Sequence, residues 1–175
     1  MAKSKTIGFD EIHAAIERLA AAIARRHPRP EKLLLLGIAN GGVELTRRLS
    51  ASLATSRIAA GTLDVSFHRD DFGHHPIPKE FAPTHIPSDV HGATVILVDD
   101  VLFSGRTMKA ALDEIFDHGR PAKVEFAVLV DRGGRKLPFA PDYCGLTLSA
   151  KETEKVVVKL DPKDPRRDSV TVRST

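Results

Sequence analysis

The feature that most constrains the fold is a short apolar run that leads into two adjacent carboxylates and a small polar loop. Residues 95–98 are apolar and too few for a helix, so they predict a buried strand. Asp99 and Asp100 are predicted to end this strand, and residues 104–107 to open a helix over residues 108–118. The helix carries one apolar stripe. A strand, a glycine loop and a helix in this order indicate an open α/β sheet, which binds ligands at the carboxyl edge of its strands.

The polar loop after this strand has the chemistry of an anion site. Backbone N–H groups at a helix start have no partner within the helix, and the helix dipole favours negative charge there. Ser104 and Thr107 add hydroxyl donors, and Gly105 lets the backbone approach a ligand closely. Asp99 and Asp100 would repel a phosphate, so we assign them to sugar hydroxyls or a divalent cation. A phosphate beside vicinal hydroxyls describes a ribose 5-phosphate.

Three segments of the chain carry a resemblance to a known family. The apolar strand, two acids, three residues and Ser-Gly-Arg-Thr resemble the 5-phosphoribosyl 1-diphosphate (PRPP) motif of type I phosphoribosyltransferases. Residues 61–71 and 127–138 are similar to segments of the bifunctional pyrimidine operon regulators that are also uracil phosphoribosyltransferases. The resemblance extends over residues 10–172. It implies one phosphoribosyltransferase domain over residues 1–175, an α/β fold in which a parallel twisted sheet is flanked by helices and topped by a small hood.

The same resemblance implies an activity and its site. The reaction would convert uracil and PRPP into UMP and diphosphate, with Mg²⁺ as cofactor. Asp99, Asp100 and Arg69 would be catalytic, and the two acids would also bind the metal. The PRPP-binding residues that it implies are Val98, Asp99, Asp100, Val101, Leu102, Phe103, Ser104, Gly105, Arg106 and Thr107.

An RNA-binding attenuator of pyrimidine genes with little catalytic activity is the alternative function. Some relatives bind messenger leader RNA, and such a protein would keep the fold and lose fast catalysis. The RNA contacts would come from a basic surface of a homo-oligomer, a dimer or larger. The arginines named for that surface are Arg25, Arg26, Arg47 and Arg48.

A second strand, loop and helix precede the motif. Residues 33–36 predict a strand, residues 37–42 a glycine loop, and a helix follows to about Ala54. The loop matches neither the dinucleotide fingerprint nor the P-loop. The resemblance implies a diphosphate loop formed by the backbone of Ala39, Asn40 and Gly41, and a plain tight turn is the alternative. Because the loop has no basic residue, the resemblance implies that Mg²⁺ and Arg69 would neutralise the negative charge of the diphosphate.

A long polar segment separates this unit from the PRPP motif. Leu63, Val65 and Phe67 alternate with polar residues and predict a half-buried strand. Arg69 follows, at the root of a proline-containing loop over residues 70–83 that the family uses as a closing lid. Its guanidinium suits a diphosphate, with a solvated arginine as the alternative. The histidines of this region lack zinc-site spacing and are predicted to be solvated: His68, His74, His75, His85 and His91.

The base-binding side is predicted in the last third of the chain. Residues 124–130 read as a core strand that ends at Asp131 and Arg132. An acid at Asp131 suits donor groups on the base rather than a purine carbonyl, although a surface turn is the alternative. The resemblance implies that Asp131, Arg132 and the backbone of Val156 bind the base. Residues 146–148, 156–160 and 170–172 predict short hood strands.

Residue patterning and composition limit which other classes of protein this chain could belong to. Residues 10–27 predict an amphipathic helix capped by Asp10. The net charge of +3 permits anionic ligands without requiring nucleic acid. No run of 18 apolar residues predicts a membrane span, and the start of the chain lacks a signal-peptide core. Cys144 is the only cysteine, which excludes an internal disulfide. These observations predict a cytoplasmic protein.

The lid prediction is tested by hydrogen exchange. Residues 70–83 are polar, long and adjacent to Arg69, so their amide exchange should slow when PRPP and Mg²⁺ are added together. Mass spectrometry of peptides across this loop measures the effect, with peptides from residues 10–27 as the internal control. Unchanged exchange across the loop at saturating PRPP would contradict a closing lid.

Overall fold

The computed structural model describes residues 6–53, 58–68 and 83–174 and shows an α/β fold with two sheets. The helices are α1 (Phe9–Arg26), α2 (Gly41–Leu53) and α3 (Arg106–His118). The strands are β1 (Thr6–Ile7), β2 (Leu33–Ile38), β3 (Ile58–Leu63), β4 (Thr94–Leu102), β5 (Lys123–Asp131), β6 (Tyr143–Thr147), β7 (Glu154–Lys159) and β8 (Ser169–Ser174). Two 3₁₀ turns cover Ser66–His68 and Pro165–Arg167.

The larger sheet has five parallel strands in the order β3-β2-β4-β5-β6. Strands in parallel sheets are covered on both faces, which explains the unbroken apolar run of β2. Leu33 and Leu35 pack into the core on the α1 and α2 side, whereas Leu34 and Leu36 pack into the core on the α3 side. The predicted fold class is confirmed, and the carboxyl ends of β2, β4 and β5 meet at one edge.

Two predicted strand boundaries were wrong. β4 does not end at the acids: it continues to Leu102, because the ladder with β5 extends through Val101 and Leu102. The strand predicted through Val65 and Phe67 ends at Leu63. The side chain of Asp64 accepts hydrogen bonds from the backbone and hydroxyl of Ser66, which turns the chain into a 3₁₀ helix.

The ends of α1 and the make-up of the hood also differ from prediction. Gly8, not Asp10, is the N-cap of α1, and it offers no side-chain cap. Residues 146–148 were assigned to the hood, but β6 is the outer strand of the main sheet and pairs with β5. The hood is a three-stranded sheet in the order β1-β8-β7, so the N-terminal strand joins two C-terminal ones.

Among the described helices, none is both long and apolar enough to cross a membrane.

The start of α2 touches the backbone of β4. A Cβ atom built on Gly42 would lie 2.0 Å from the carbonyl oxygen of Val98, which is a rigid ladder position. Thr46 fixes the same turn, because its hydroxyl donates to the Gly42 carbonyl oxygen at 2.8 Å. The absence of a side chain at Gly42 therefore determines how closely α2 approaches the sheet.

Gly42→Ala should lower the free energy of unfolding by about 1–3 kcal/mol, because the added methyl group overlaps backbone that cannot move away. Denaturant unfolding measures the change. Gly119→Ala is the matched control, since its Cβ would lie 3.4 Å from Val90 in ordinary contact. Equal stability of the two variants would show that α2 does not depend on this contact.

Candidate active site

The predicted diphosphate loop lies directly against the acidic pair. A Cβ atom on Gly41 would lie 2.5 Å from Oδ1 of Asp100, so the loop backbone reaches the carboxylate only because this residue is glycine. The loop is also attached to β3, since the Ala39 N–H donates to the Leu63 carbonyl oxygen at 2.9 Å. The peptide bond between Ala39 and Asn40 is cis. Two segments that are about sixty residues apart in sequence thus meet at one edge of the sheet.

The two acids lie near the end of β4 and contact each other. Asp99 is buried, and its Oδ1 accepts a hydrogen bond from the Asp100 N–H at 2.9 Å. Burial raises the pKa of Asp100 above its ordinary value, although hydrogen bonds from the Asp99 side chain and the Val101 backbone oppose the rise. Two neighbouring carboxyls with restricted access to water favour a cation or a hydroxyl donor beside them. Their oxygens are the ligands that Mg²⁺ prefers, so these residues fit that ion.

The predicted anion loop ends β4 and begins α3. Gly105 is the N-cap of α3 with φ 91°, a left-handed conformation that glycine adopts without strain. The side chain of Ser104 accepts from the Arg106 N–H at 3.3 Å, and its carbonyl oxygen accepts from the N–H groups of Lys136 and Leu137. Thr107 lies in the first turn of α3. The helix begins two residues earlier than predicted, which brings Arg106 and Thr107 into the N-terminal turn where an anion would bind.

Phe103 and Arg132 connect this loop to the hood. The Arg132 guanidinium lies 4.0 Å from the centre of the Phe103 ring. Arg132 is buried and donates to the carbonyl oxygens of Lys151 at 2.8 Å and Glu154 at 2.7 Å, just before and at the start of β7. A Cβ on Gly134 would lie 2.8 Å from Phe103 Cε2. Sequence analysis named Arg132 for base binding and missed this stacked arrangement, for which the only signal was an arginine at a strand end before two glycines.

The other predicted base-binding residues lie at the same end of the molecule. Asp131 ends β5, and its carboxylate accepts from the Gly133 N–H at 3.0 Å and forms an ion pair with Arg135. Val156 is buried in β7, opposite Val172 of β8. β7 contacts β4, which brings the hood beside the strand that carries the acids. Arg69 and residues 70–82 of the predicted lid lie outside the described residues.

Comparisons with known proteins find relatives that match nearly the whole chain. Residues 8–163 match the phosphoribosyl transferase domain family. The chain is 40% identical over 179 residues to the bifunctional protein PyrR of Roseiflexus sp. strain RS-1, covering 100% of this chain and 97% of the relative. It is 43% identical to the bifunctional protein PyrR of Deinococcus deserti, covering 93% and 90% of the two chains.

Solved structures of similar shape give the fold alone, because their sequence identity is low. A hypoxanthine phosphoribosyl transferase of Trypanosoma cruzi aligns with a TM-score of 0.71 and 23% identity, over 97% of this chain and 91% of that one. A hypoxanthine-guanine phosphoribosyltransferase of Bacillus anthracis aligns with a TM-score of 0.69 and 17% identity, over 98% and 100%.

Asp100→Asn should raise the melting temperature near neutral pH by about 2–4 °C, because it removes a partly buried charge beside Asp99. A raised carboxyl pKa means that the folded state holds the proton more tightly than the unfolded state. Asp100 therefore reduces the stability of the wild type as pH rises through its folded pKa. The gain in the variant should shrink as pH falls below that value.

Thermal melts over a pH series measure this difference. Asp113→Asn on the exposed face of α3 is the control; its carboxylate pairs with Lys109 at 2.7 Å, and its replacement should give no such gain. An Asp100→Asn variant that melts below the wild type at neutral pH would contradict an unfavourable buried charge.

Proposed function

The chain belongs to the phosphoribosyltransferase family, and we propose that it transfers ribose 5-phosphate from PRPP to uracil, which yields UMP and diphosphate. The observation that carries the proposal is the contact of Gly41 with Asp100. This contact brings the loop before α2, a pair of carboxylates and a helix N-terminus to one edge of the sheet. Those three features match the diphosphate, the ribose hydroxyls and the 5-phosphate of a single PRPP molecule.

Each part of the candidate site binds one group of PRPP in this proposal. Thr107 and the backbone N–H groups of the loop at Ser104 and Gly105 bind the 5-phosphate at the start of α3. Asp99 and Asp100 accept hydrogen bonds from the ribose hydroxyls and hold the sugar while its bond to diphosphate opens. Mg²⁺ bound at the two acids would neutralise part of the negative charge of the diphosphate. Catalysis then consists mainly of positioning and of stabilising charge in an oxocarbenium-like transition state.

The base is proposed to bind under the hood. Asp131 offers carboxylate oxygens to the N–H groups of uracil, in competition with Arg135. Val156 contributes backbone groups from β7. Arg132 fixes the position of Phe103 relative to β7. The similarity to PyrR proteins over the whole chain supports a pyrimidine as substrate. The structural neighbours whose names include hypoxanthine give no evidence about which base this chain uses, because their sequence identity to this chain is below 25%.

A panel of bases tests the substrate. With labelled PRPP and Mg²⁺, uracil should exceed orotate, hypoxanthine and guanine in kcat/KM by at least about tenfold, because a site that hydrogen-bonds one base edge rejects others. Initial rates with each base at several PRPP concentrations give the comparison. A higher kcat/KM for hypoxanthine would overturn the uracil assignment and leave the family assignment intact.

Regulation of pyrimidine genes through leader RNA is the second function that we propose. The relatives' name describes a bifunctional protein, which favours an activity besides catalysis. The arginines named from the sequence are mostly engaged with acids: Arg26 pairs with Glu125, Arg47 with Glu44 and Arg48 with buried Asp168. Arg25 is exposed on α1. An RNA surface would therefore draw on Arg25 and on basic residues outside these ion pairs. We also propose that the protein is a homo-oligomer in the cytoplasm.

A gel shift with the protein's own pyrimidine leader RNA tests this function. The protein should bind this RNA more tightly than an unrelated RNA of the same length, and the logarithm of its affinity should fall linearly with the logarithm of salt concentration. Addition of UMP in a parallel series shows whether the nucleotide acts as an effector. Equal retention of the leader and the unrelated RNA would contradict a specific regulator.

A further inference from the structure

Three metal-ligating atoms meet on the side of α3, away from the acidic pair. His68 Nε2 lies 3.1 Å from Glu114 Oε2 and 3.2 Å from Asp117 Oδ2. One ligand atom from each of the three residues lies within 4.8 Å of the other two. We propose that His68, Glu114 and Asp117 bind a divalent transition-metal ion of the Zn²⁺ class. We call this cluster the α3 metal site, and it stands independently of the proposed function.

The three ligands come from two elements that pack together. Glu114 and Asp117 are three residues apart on α3, a spacing that puts both carboxylates on one face of the helix. His68 ends the 3₁₀ turn that follows β3, and this turn packs against α3. The turn has a defined shape, because the His68 N–H donates to the Val65 carbonyl oxygen at 3.1 Å. The imidazole is therefore presented to the helix by backbone geometry.

Groups outside the three ligands orient the Glu114 carboxylate. Thr84 Oγ1 donates to Glu114 Oε1 at 3.2 Å, and His118 Nε2 lies 3.1 Å from the same oxygen. This leaves Oε2 to face His68. Metal sites commonly have outer groups that fix a ligand's orientation in this way. Thr84 lies outside the α3 metal site and in a different part of the chain, so the orientation does not arise within the cluster.

The donor set and its surroundings suit a borderline ion. One imidazole nitrogen and two carboxylate oxygens are ligands that Zn²⁺ takes, and tetrahedral ligands at its usual bond lengths lie about 3.3 Å apart. The two carboxylates supply two negative charges, which a dication balances. The Glu114 side chain is 14% exposed and Asp117 is 70% exposed, so an ion would be held on one side and open to water on the other. Mg²⁺ prefers oxygen ligands throughout, which separates this site from the acidic pair.

Sequence spacing could not reveal this cluster. His68 was predicted to be a solvated loop histidine because no other histidine or cysteine follows at metal-site spacing. Its partners are two acids that lie 46 and 49 residues further along the chain and reach it through the packing of α3 on the turn. The competing interpretation is an imidazolium that pairs with both carboxylates and binds no metal.

Calorimetric titration of the full-length protein with Zn²⁺ tests the proposal at about pH 7.5, where an ordinary histidine is mostly neutral. Millimolar Mg²⁺ in the buffer occupies sites that require only oxygen. The wild type should bind one Zn²⁺ at the α3 metal site, and His68→Gln and Asp117→Asn should each weaken binding roughly tenfold or more, since each removes a direct ligand. His91→Gln, which changes an exposed histidine elsewhere, should keep the wild-type affinity.

Two further measurements separate loss of a metal ligand from misfolding of the variants. Binding of Co²⁺ should give visible absorption that is lost in His68→Gln, and far-ultraviolet circular dichroism should show that every variant is folded. Zn²⁺ affinity should fall at lower pH, because a metal ion competes with protons for its ligands. Unchanged Zn²⁺ affinity in His68→Gln would overturn the proposal. So would the absence of saturable Zn²⁺ binding in the wild type, which would favour the imidazolium interpretation.

Discussion

The close approach of α2 to the end of β4 is the contact on which the candidate site depends. Two consecutive glycines make it: Gly42 lies against the backbone of Val98, and Gly41 lies against the carboxylate of Asp100. A side chain at Gly42 would push the helix away from the sheet, whereas one at Gly41 would displace the Asp100 carboxylate. The contact unites two loops that are far apart in sequence, and burial there makes the ionised Asp100 carboxyl less favourable, which raises its pKa. A cationic or hydroxyl-bearing ligand would relieve that cost, which connects the packing to the proposed chemistry.

Two arginines attach the hood to the elements that carry the candidate site. Arg132 stacks on Phe103 and donates to the backbone at β7, so one side chain joins the loop after β4 to the hood. Arg48 of α2 pairs with Asp168 beside β8 and also donates to the Asp161 carbonyl oxygen at 2.8 Å. Loss of the Arg48 guanidinium would leave buried Asp168 without this charge partner. The hood is thereby attached to α2 and to the loop after β4, rather than only to the sheet.

Local patterns predicted the elements of this protein well, and long-range contacts were harder to foresee. The apolar runs of β2, β4 and β5 and the striped helices were evident from periodicity, and the PRPP motif located the two acids. The prediction failed where tertiary pairing extends an element, as at Val101 and Leu102, or where a side chain redirects the backbone, as at Asp64. β1 was missed because it is two residues long and has strand character only through its pairing with β8.

Equilibrium binding of PRPP to Gly41→Ala tests the account most directly. The added methyl group meets the flexible end of the Asp100 side chain rather than backbone, so the fold should persist while the carboxylate is displaced. Calorimetry in the presence of Mg²⁺ should show PRPP affinity reduced by about tenfold or more, since charge-assisted hydrogen bonds to the sugar are lost, with the melting temperature close to that of the wild type. Wild-type PRPP affinity in a folded Gly41→Ala protein would contradict the claim that this contact builds the site.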